Sequence, residues 1–357
     1  MNSDEGLQGR VFRTFRHGAR TLTVAAAAYV VLAPVWVLSL RKHWLVATVQ
    51  GLYESATVGL PIILVFLGAL WAFRRRSPWF PWAAALVLGG IHVYATHIEP
   101  FRLQVREITI ASSKVTRPLR IAHISDIQAA HVGAYEAEAL ARLAQLEPDL
   151  VIHTGDLLQT QALSEVPAEL DKLEPMLEAI RAPLGRFHVT GDTDWRIADH
   201  YGHFRGLTTL DDKGIVLRHG SDRIRLYGIS VRSARHVEET AKRIASWRAH
   251  DPDAFNIVFA HPPDFILGLE AEPIDLCLAG HTHGGQIRLP FIGPLFIASR
   301  VPRELGRGFH PFGKTWLNTS AGIGAEHARD LPSIRFNCPP EFTIITVLPS
   351  TSPRDTR

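Results

Sequence analysis

The pattern of apolar positions divides the chain into two textures that meet near residue 100. Before that point the apolar residues come in long uncharged runs. Thr21 to Leu40 continues for about 20 residues without a charge, the length a helix needs to span a bilayer. Ala56–Phe73 and Trp79–Ala95 are two further apolar runs, and Trp71, Trp79 and Trp82 stand near run ends, where aromatic belts form. Three such runs in succession, with no small-residue cleavage site after the first, predict a membrane anchor of three transmembrane helices over residues 1–100.

After residue 100 the runs are short and alternate with amphipathic stretches. Val105–Ile110 alternates as a half-buried strand, and Leu119–Ser125 reads as a more deeply buried one. Strands are also predicted at Leu150–Thr154, Arg186–Thr190, Ile224–Ile229, Asn256–Ala260 and Ile274–Leu278, with a closing strand at Phe342–Leu348. Helices are predicted at Glu136–Leu146, around Leu170–Ile180 and at Val237–Ala249. Strands alternating with helices imply a sheet with helices on its faces, an α/β domain over residues 101–348. Residues 349–357 read as a disordered tail.

Composition narrows this picture. Hydrophobic residues make up 46% of the 357 positions, and their excess lies in the first hundred. The net charge is only +3, which does not suggest a nucleic-acid partner. Cys277 and Cys338 sit in no metal-type spacing and carry no redox expectation. Charge also orients the anchor. An inner N-terminus groups Arg10, Arg13, Arg16 and Arg20 with Arg74–Arg76 and leaves Arg41 and Lys42 on the other side, so the α/β domain falls on the outer face of a cell membrane.

The chemistry gathers at the ends of the predicted strands, where open α/β sheets place their sites. Successive strands end in Ser125-Asp126-Ile127-Gln128, Thr154-Gly155-Asp156, Thr190-Gly191-Asp192-Thr193-Asp194, Ala260-His261 and Gly280-His281-Thr282-His283. Carboxylates, an amide and imidazoles form a mixed oxygen and nitrogen donor set that suits Mn²⁺, Fe²⁺, Zn²⁺ or a similar ion. The seven candidates Asp126, Gln128, Asp156, Asp192, His261, His281 and His283 exceed one ion's needs and suit two divalent ions sharing a bridging carboxylate. Gly280, Gly284 and Gly285 flank the double histidine and permit a curl that aims both rings at one point.

These five motifs in this order resemble the calcineurin-like metallophosphoesterases over residues 118–348. Gly280–Gln286 and Phe336–Glu341 look like the small bacterial members with N-terminal membrane segments. The resemblance implies a two-sheet α/β/β/α sandwich and a dinuclear site. In it Asp126, Gln128 and His283 would serve the first ion, Asp192, His261 and His281 the second, and Asp156 both. Asp156, Asp192 and Asp194 would be the catalytic acids, and the substrate a phosphoester or phosphodiester, lipid-linked or nucleotide-linked.

Three positions depart from the family pattern. Gln128 replaces a histidine and Asp192 an asparagine, both still able to coordinate. Thr193 replaces a histidine that assists the leaving group, and threonine is no general acid near neutral pH. Asp194 then has no histidine to orient. His131, His200 and His203 are possible substitutes by nearness in sequence, with a loop role favoured for each. A second reading therefore stands beside the enzyme: a metal-binding but catalytically impaired membrane-anchored sensor. His123, His153 and His188 are expected as core histidines, Trp195 as packing, and Arg288, Arg300, Arg303 and Arg307 as either phosphate contacts or a solvated basic loop.

Overall fold

The structure, a computed structural model, describes residues 45–350 apart from 203, 295 and 328–331. The first apolar run, Thr21–Leu40, the basic residues before and just after it, His203 and residues 351–357 lie outside the described residues. The chain divides into two compact units, one formed by the N-terminal helices through Ile98 with 327–334, the other by Glu99–Glu326 with the chain from Arg335 on.

In the first unit, helix α1 (Leu45–Glu54) runs through a π-helical stretch into α2 (Leu60–Phe73), and α3 (Trp79–Val93) follows a short turn. Glycine lets α2 and α3 meet: a Cβ on Gly68 would fall on the Trp82 indole. Among the described residues one helix, Thr48–Phe73, is long and apolar enough to cross a membrane; the first of the three expected spans lies outside those residues. The third predicted run does form α3 and its π-helical extension to Ile98. Ile62, Val65, Phe66, Phe73, Phe80, Leu86 and Val87 are exposed on these helices.

The second unit is the predicted two-sheet sandwich. One six-stranded sheet has the order β1 (Gln104–Ser112), β14 (Glu341–Pro349), β2 (Leu119–Ile124), β3 (Leu150–His153), β4 (Arg186–His188), β5 (Thr208–Thr209). The other has the order β12 (Gly308–Phe312), β13 (Thr315–Thr319), β9 (Leu276–Ala279), β8 (Phe255–Ala260), β7 (Asp222–Ile229), β6 (Lys213–His219). A small ribbon pairs β10 (Arg288–Leu289) with β11 (Gly293–Pro294). Strands β2 to β5 are parallel, as are β7 to β9, so their C-terminal ends share one edge of the sandwich.

The period-2 alternation of each strand decides which residues fill which layer. Leu119, Ile121, Leu150 and Ile152 face inward against Ile224, Leu226, Phe255, Ile257, Phe259, Leu276 and Leu278, forming the core between the sheets. On the far side of the first sheet Ala122, Ile124 and Val151 pack under Leu140 and Leu143 of α4 (Ala134–Ala144) and Leu170, Leu173 and Leu177 of α5 (Val166–Glu178). On the far side of the second, Val258, Ala260, Cys277 and Ala279 pack with Phe265 and Ile266 and with Ile244 of a helix over Val237–Ala249. Both faces of the central strands are thus covered, which is why those strands read as continuous apolar runs.

Three predicted strands end one or two residues earlier than read: β2 stops at Ile124, β3 at His153 and β4 at His188. The missing residues turn out of the sheet to carry the site. Strands β6, β12 and β13 and a helix over Asp194–Tyr201, here α6, were not legible, and Pro349 belongs to β14 rather than to the tail.

Candidate metal centre

Each strand end turns sharply. Asp126, Gln128, Asp156, His281 and His283 all have positive φ, five of the eleven described non-glycine residues that do. Such backbone costs of order 1–3 kcal/mol per residue and persists where the surroundings over-determine it. The surroundings here are cross-bonds between the ends. Asp126 N–H donates to the Gly155 carbonyl at 2.9 Å, Gln128 N–H to Asp156 at 3.0 Å, and Gly324 N–H to Asp126 at 2.7 Å. Gly284 and Gly285 take positive φ as expected, whereas Gly280 does not. Gly280 is needed for close approach instead, since a Cβ there would collide with Ser125 Oγ and Asp126 Oδ2. Gly191 is needed for the same reason beside Asp156 Oδ1.

The turns bring all seven predicted donors into one cluster. His261 Nε2 lies 3.4 Å from Asp156 Oδ2, His283 Nε2 3.5 Å from Asp126 Oδ1, and His281 Nδ1 3.7 Å from Asp192 Oδ2. His281 Nδ1 and His261 Nε2 are 3.1 Å apart. Two nitrogens bonded to one tetrahedral ion would sit about 3.3 Å apart. Donor atoms of Asp192, His261 and His281 all lie within 4.8 Å of one another, and so do those of Asp126, Asp156 and His261. His261 falls in both groups, and with Nδ1 given to the Thr154 carbonyl it has one nitrogen to offer a single ion.

The donor set fits divalent cations on a test independent of resemblance. Gln128 Oε1, Asp192 Oδ1 and His283 Nδ1 are buried without a hydrogen-bond partner. Most buried polar atoms are satisfied in folded proteins, and these three, of fourteen orphan atoms among the described residues, lie among the candidate ligands, where a cation would satisfy them. His261 donates through Nδ1 to the Thr154 carbonyl at 2.7 Å, which leaves Nε2 as the atom facing the carboxylates.

Burial and crowding set the charge states before any cation enters. Burial pushes Asp126 up to about 7, with the Asp156 carboxylate adding to that push and His261 opposing it. Burial alone would raise Asp156 too, but the charge and hydrogen bond of His261 hold it below the usual carboxylate range. Burial lowers His281 and His283, His283 further through the Arg335 guanidinium, so both rings are neutral as ligands must be. Arg335 is fully buried and donates to the carbonyls of Cys338, Ala321, Gly322 and Gly324, fixing the loop under Asp126.

Asp194, predicted as catalytic, lies wholly buried beneath this cluster. Its carboxylate accepts from the backbone N–H groups of Asp156 (2.6 Å), Leu157 (2.7 Å) and Gly191 (3.0 Å). It is a positioning residue that ties two strand ends together, and this use does not depend on a histidine at 193. Thr193 N–H donates to Asp156 Oδ1 at 2.8 Å, while its hydroxyl is buried without a partner.

Glu326 is the site residue that sequence reasoning missed. It is reached only through the loop after β13, far in sequence from every motif. Gln128 Nε2 donates to Asp156 Oδ2 at 3.0 Å and to Glu326 Oε2 at 2.9 Å. Gln159 Nε2 donates to Glu326 Oε1 at 2.7 Å. Ionised carboxylates only accept, so the amide nitrogen of Gln128 must face them and its oxygen must face the cluster.

The remaining expectations sort clearly. His123, His153 and His188 are buried core residues, but they bond to side chains more than to backbone: His123 to Thr154 and Asn318, His153 to His188. His131 faces Glu169 at 3.6 Å, and His200 is exposed on α6 against Tyr201. Trp195 is a correction, since it is 52% exposed and not a packing residue. Arg300 pairs with Asp264, Arg307 with Glu341, and Arg288 and Arg303 donate to the carbonyls of Gly284 and Pro294, so all four brace the loops after β9.

A two-sheet sandwich whose strand ends gather carboxylates and imidazoles around orphaned donors defines a metal-dependent hydrolase of phosphate esters. Residues 119–285 match the family model for calcineurin-like phosphoesterase. Among curated proteins it is 28% identical to the uncharacterized metallophosphoesterase YkuE of Bacillus subtilis, over 74% of this chain and 92% of that one. It is 28% identical to the phosphodiesterase YaeI of Escherichia coli, over 59% and 75%. It is 24% identical to the UDP-2,3-diacylglucosamine pyrophosphatase LpxG of Chlamydia trachomatis, over 72% and 92%.

Proposed function

We propose that this protein hydrolyses a phosphoester or phosphodiester of a lipid-linked or nucleotide-linked substrate at a dinuclear centre of Mn, Fe, Zn or similar ions. Asp126, Gln128 and His283 would hold one ion, Asp192, His261 and His281 the other, and Asp156 would lie between them. The observation that carries this reading is the convergence of seven donors from five strand ends, three of them with orphaned buried atoms. Bound divalent cations supply the charge that neutralises phosphoryl oxygens and acidifies an attacking water. The chain's own residues supply the rest. Asp194 locks the Asp156 and Gly191 turns, the Thr154 carbonyl fixes the His261 ring, and burial keeps solvent from Asp126 and Asp156.

The test is hydrolysis of bis(p-nitrophenyl) phosphate by the full chain in detergent with Mn²⁺. Turnover that disappears on chelation and returns on adding metal is expected. Bound metal without turnover of this activated ester would favour the impaired sensor, the reading that Thr193 motivates.

Glu326 adds a ligand-orienting role. Glu326→Ala is expected to weaken binding of the first cation about 10–100-fold, the usual cost of losing a group that orients a ligand. The loss should shrink in a Gln128→His background, because an imidazole has no amide to orient. Titration calorimetry with Mn²⁺ on the four proteins of this cycle measures the coupling. Equal losses in both backgrounds would remove Glu326 from this role.

The first unit would anchor the site at a membrane. Its exposed apolar side chains on Thr48–Phe73 and the following helix suit lipid rather than water. The basic cluster Arg74–Arg76 would lie inside and the sandwich outside. Cysteines introduced on the sandwich surface of intact cells should then react with an impermeant maleimide; protection until lysis would reverse the orientation.

A further inference from the structure

The double-histidine turn runs directly into a hairpin whose tip is apolar. The ribbon of β10 and β11 is closed by Pro290, Phe291 and Ile292, with Ile292 N–H donating to the Leu289 carbonyl at 3.3 Å. Phe291 is the most exposed large apolar side chain among the described residues, and Ile292 and Phe296 are each more than half exposed. Hairpin tips ordinarily carry Gly, Asn, Asp or Ser, which turn readily and suit water. Phe291 instead takes a positive φ of 66°, a bulky residue where glycine or asparagine would serve the turn better. Nothing in the fold covers its ring.

The base of the hairpin is braced on the double-histidine turn. Arg288 Nη1 donates to the Gly284 carbonyl at 2.9 Å, Arg303 Nη1 to the Pro294 carbonyl at 3.2 Å, and a Cβ on Gly285 would strike Pro294. Phe336 pairs with the start of β10: its N–H donates to the Gln286 carbonyl and its own carbonyl accepts from Arg288 N–H, both at 2.9 Å. The next residues, Asn337 and Cys338, donate their N–H groups to the buried Glu99 carboxylate, Asn337 at 2.9 Å. Glu99 is the first residue of the second unit and follows directly on Ile98. The chain therefore enters the sandwich one hydrogen-bonded segment away from the hairpin base. From Gln286 to Phe291 it spans at most about 17 Å. Residues 284–303 also hold three arginines, Arg288, Arg300 and Arg303, and no carboxylate. The five donors of each guanidinium exceed the bracing bonds it makes.

We propose that this hairpin is a second membrane contact: Phe291 and Ile292 enter the acyl boundary of an anionic bilayer, and the double-histidine turn stands at headgroup height. The inference rests on the membrane anchoring read above and goes beyond it, since it sets which edge of the sandwich meets the lipid. Two observations choose lipid over a protein partner. The chain enters the second unit at Glu99, tied to the segment that pairs with the hairpin base. The arginines around an apolar tip match anionic headgroups around acyl chains. A single tether would leave the sandwich free to turn above the membrane; a second contact at this hairpin fixes the height of His281 and His283.

The test reads the surroundings of a nitroxide on the full chain reconstituted into phosphatidylcholine–phosphatidylglycerol vesicles. Cys277 and Cys338 are buried, so the label goes to an introduced cysteine. Ile292→Cys at the tip is compared with Phe66→Cys on the Thr48–Phe73 helix and Lys213→Cys at the exposed start of β6. Oxygen, which gathers in lipid, should relax the labels at 292 and 66 more than a water-soluble nickel chelate does, with the order reversed at 213. Adding Phe291→Asp to Ile292→Cys should shift that label toward the chelate, because a carboxylate is costly within the acyl region. A label at 292 open to the chelate, while that at 66 stays in lipid, would overturn the hairpin contact and leave the anchor standing. So would a Phe291→Asp addition without effect. A label at 292 shielded from both reagents would put the tip in a protein contact and overturn the proposal as well. A label at 66 open to the chelate would remove the anchor reading, and the hairpin contact with it.

Discussion

Asp156→Ala is expected to abolish turnover and to strip the protein of bound metal, with both losses exceeding about 100-fold. That figure is the upper end of the cost of losing a mere orienting partner, and Asp156 is more central than that. Its Oδ1 accepts from Thr193 N–H, and its Oδ2 accepts from Gln128 Nε2 and faces His261. Removing the carboxylate takes away a donor, frees the Gln128 amide to turn, and leaves the buried His261 ring without its counter-charge. Metal analysis and the activated-diester assay on one preparation measure both effects. Full metal content with full rate would remove Asp156 from the centre. Asp156→Asn should lie between, since it keeps an oxygen and the shape but loses the charge.

Asp194→Ala is expected to destabilise the sandwich by about 3 kcal/mol or more, because it leaves three buried backbone N–H groups unsatisfied at roughly 1–3 kcal/mol each. For a domain of this size that lowers Tm by roughly 6–12 °C. Metal affinity should fall with it, because the Asp156 and Gly191 turns lose their common anchor. Asp194→Asn distinguishes positioning from proton transfer. One amide oxygen still accepts, so part of the stability and part of the activity should survive. An asparagine variant that folds and binds metal as wild type but has no turnover would show that Asp194 acts chemically and not as an anchor.

Much of the sandwich was legible because central strands covered on both faces are apolar throughout and end at polar turns. The edge strands β6, β12 and β13 were not, since they mix exposed and buried positions and carry no unbroken apolar run. The ligand candidates were legible through their places at strand ends. What they do to one another was less so. Asp194 reads as a partner for a missing histidine, yet in the fold it serves the backbone of its own turn and of the turn after β3. Gly280 reads as a source of unusual backbone angles, yet it is the histidines beside it that adopt them. Trp195 reads as packing, yet it lies half exposed. The long apolar runs signal spans by length and composition, and only one of the described helices meets both measures.

By itself the sequence determined the layered α/β domain, the five strand ends and the donor types they carry, because hydrophobic period and local motif are properties of contiguous residues. Only the tertiary structure decided that Glu326 orients Gln128, that Arg335 supports the loop under Asp126, and that Arg235 stands beside Asp192. Gln128 and Glu326 stand 198 positions apart and Asp192 and Arg235 43, while Arg335 reaches the Asp126 turn through Gly324, whose N–H donates to the Asp126 carbonyl. No local pattern encodes them, since they exist only once the two sheets have closed on their shared core and set the strand ends side by side.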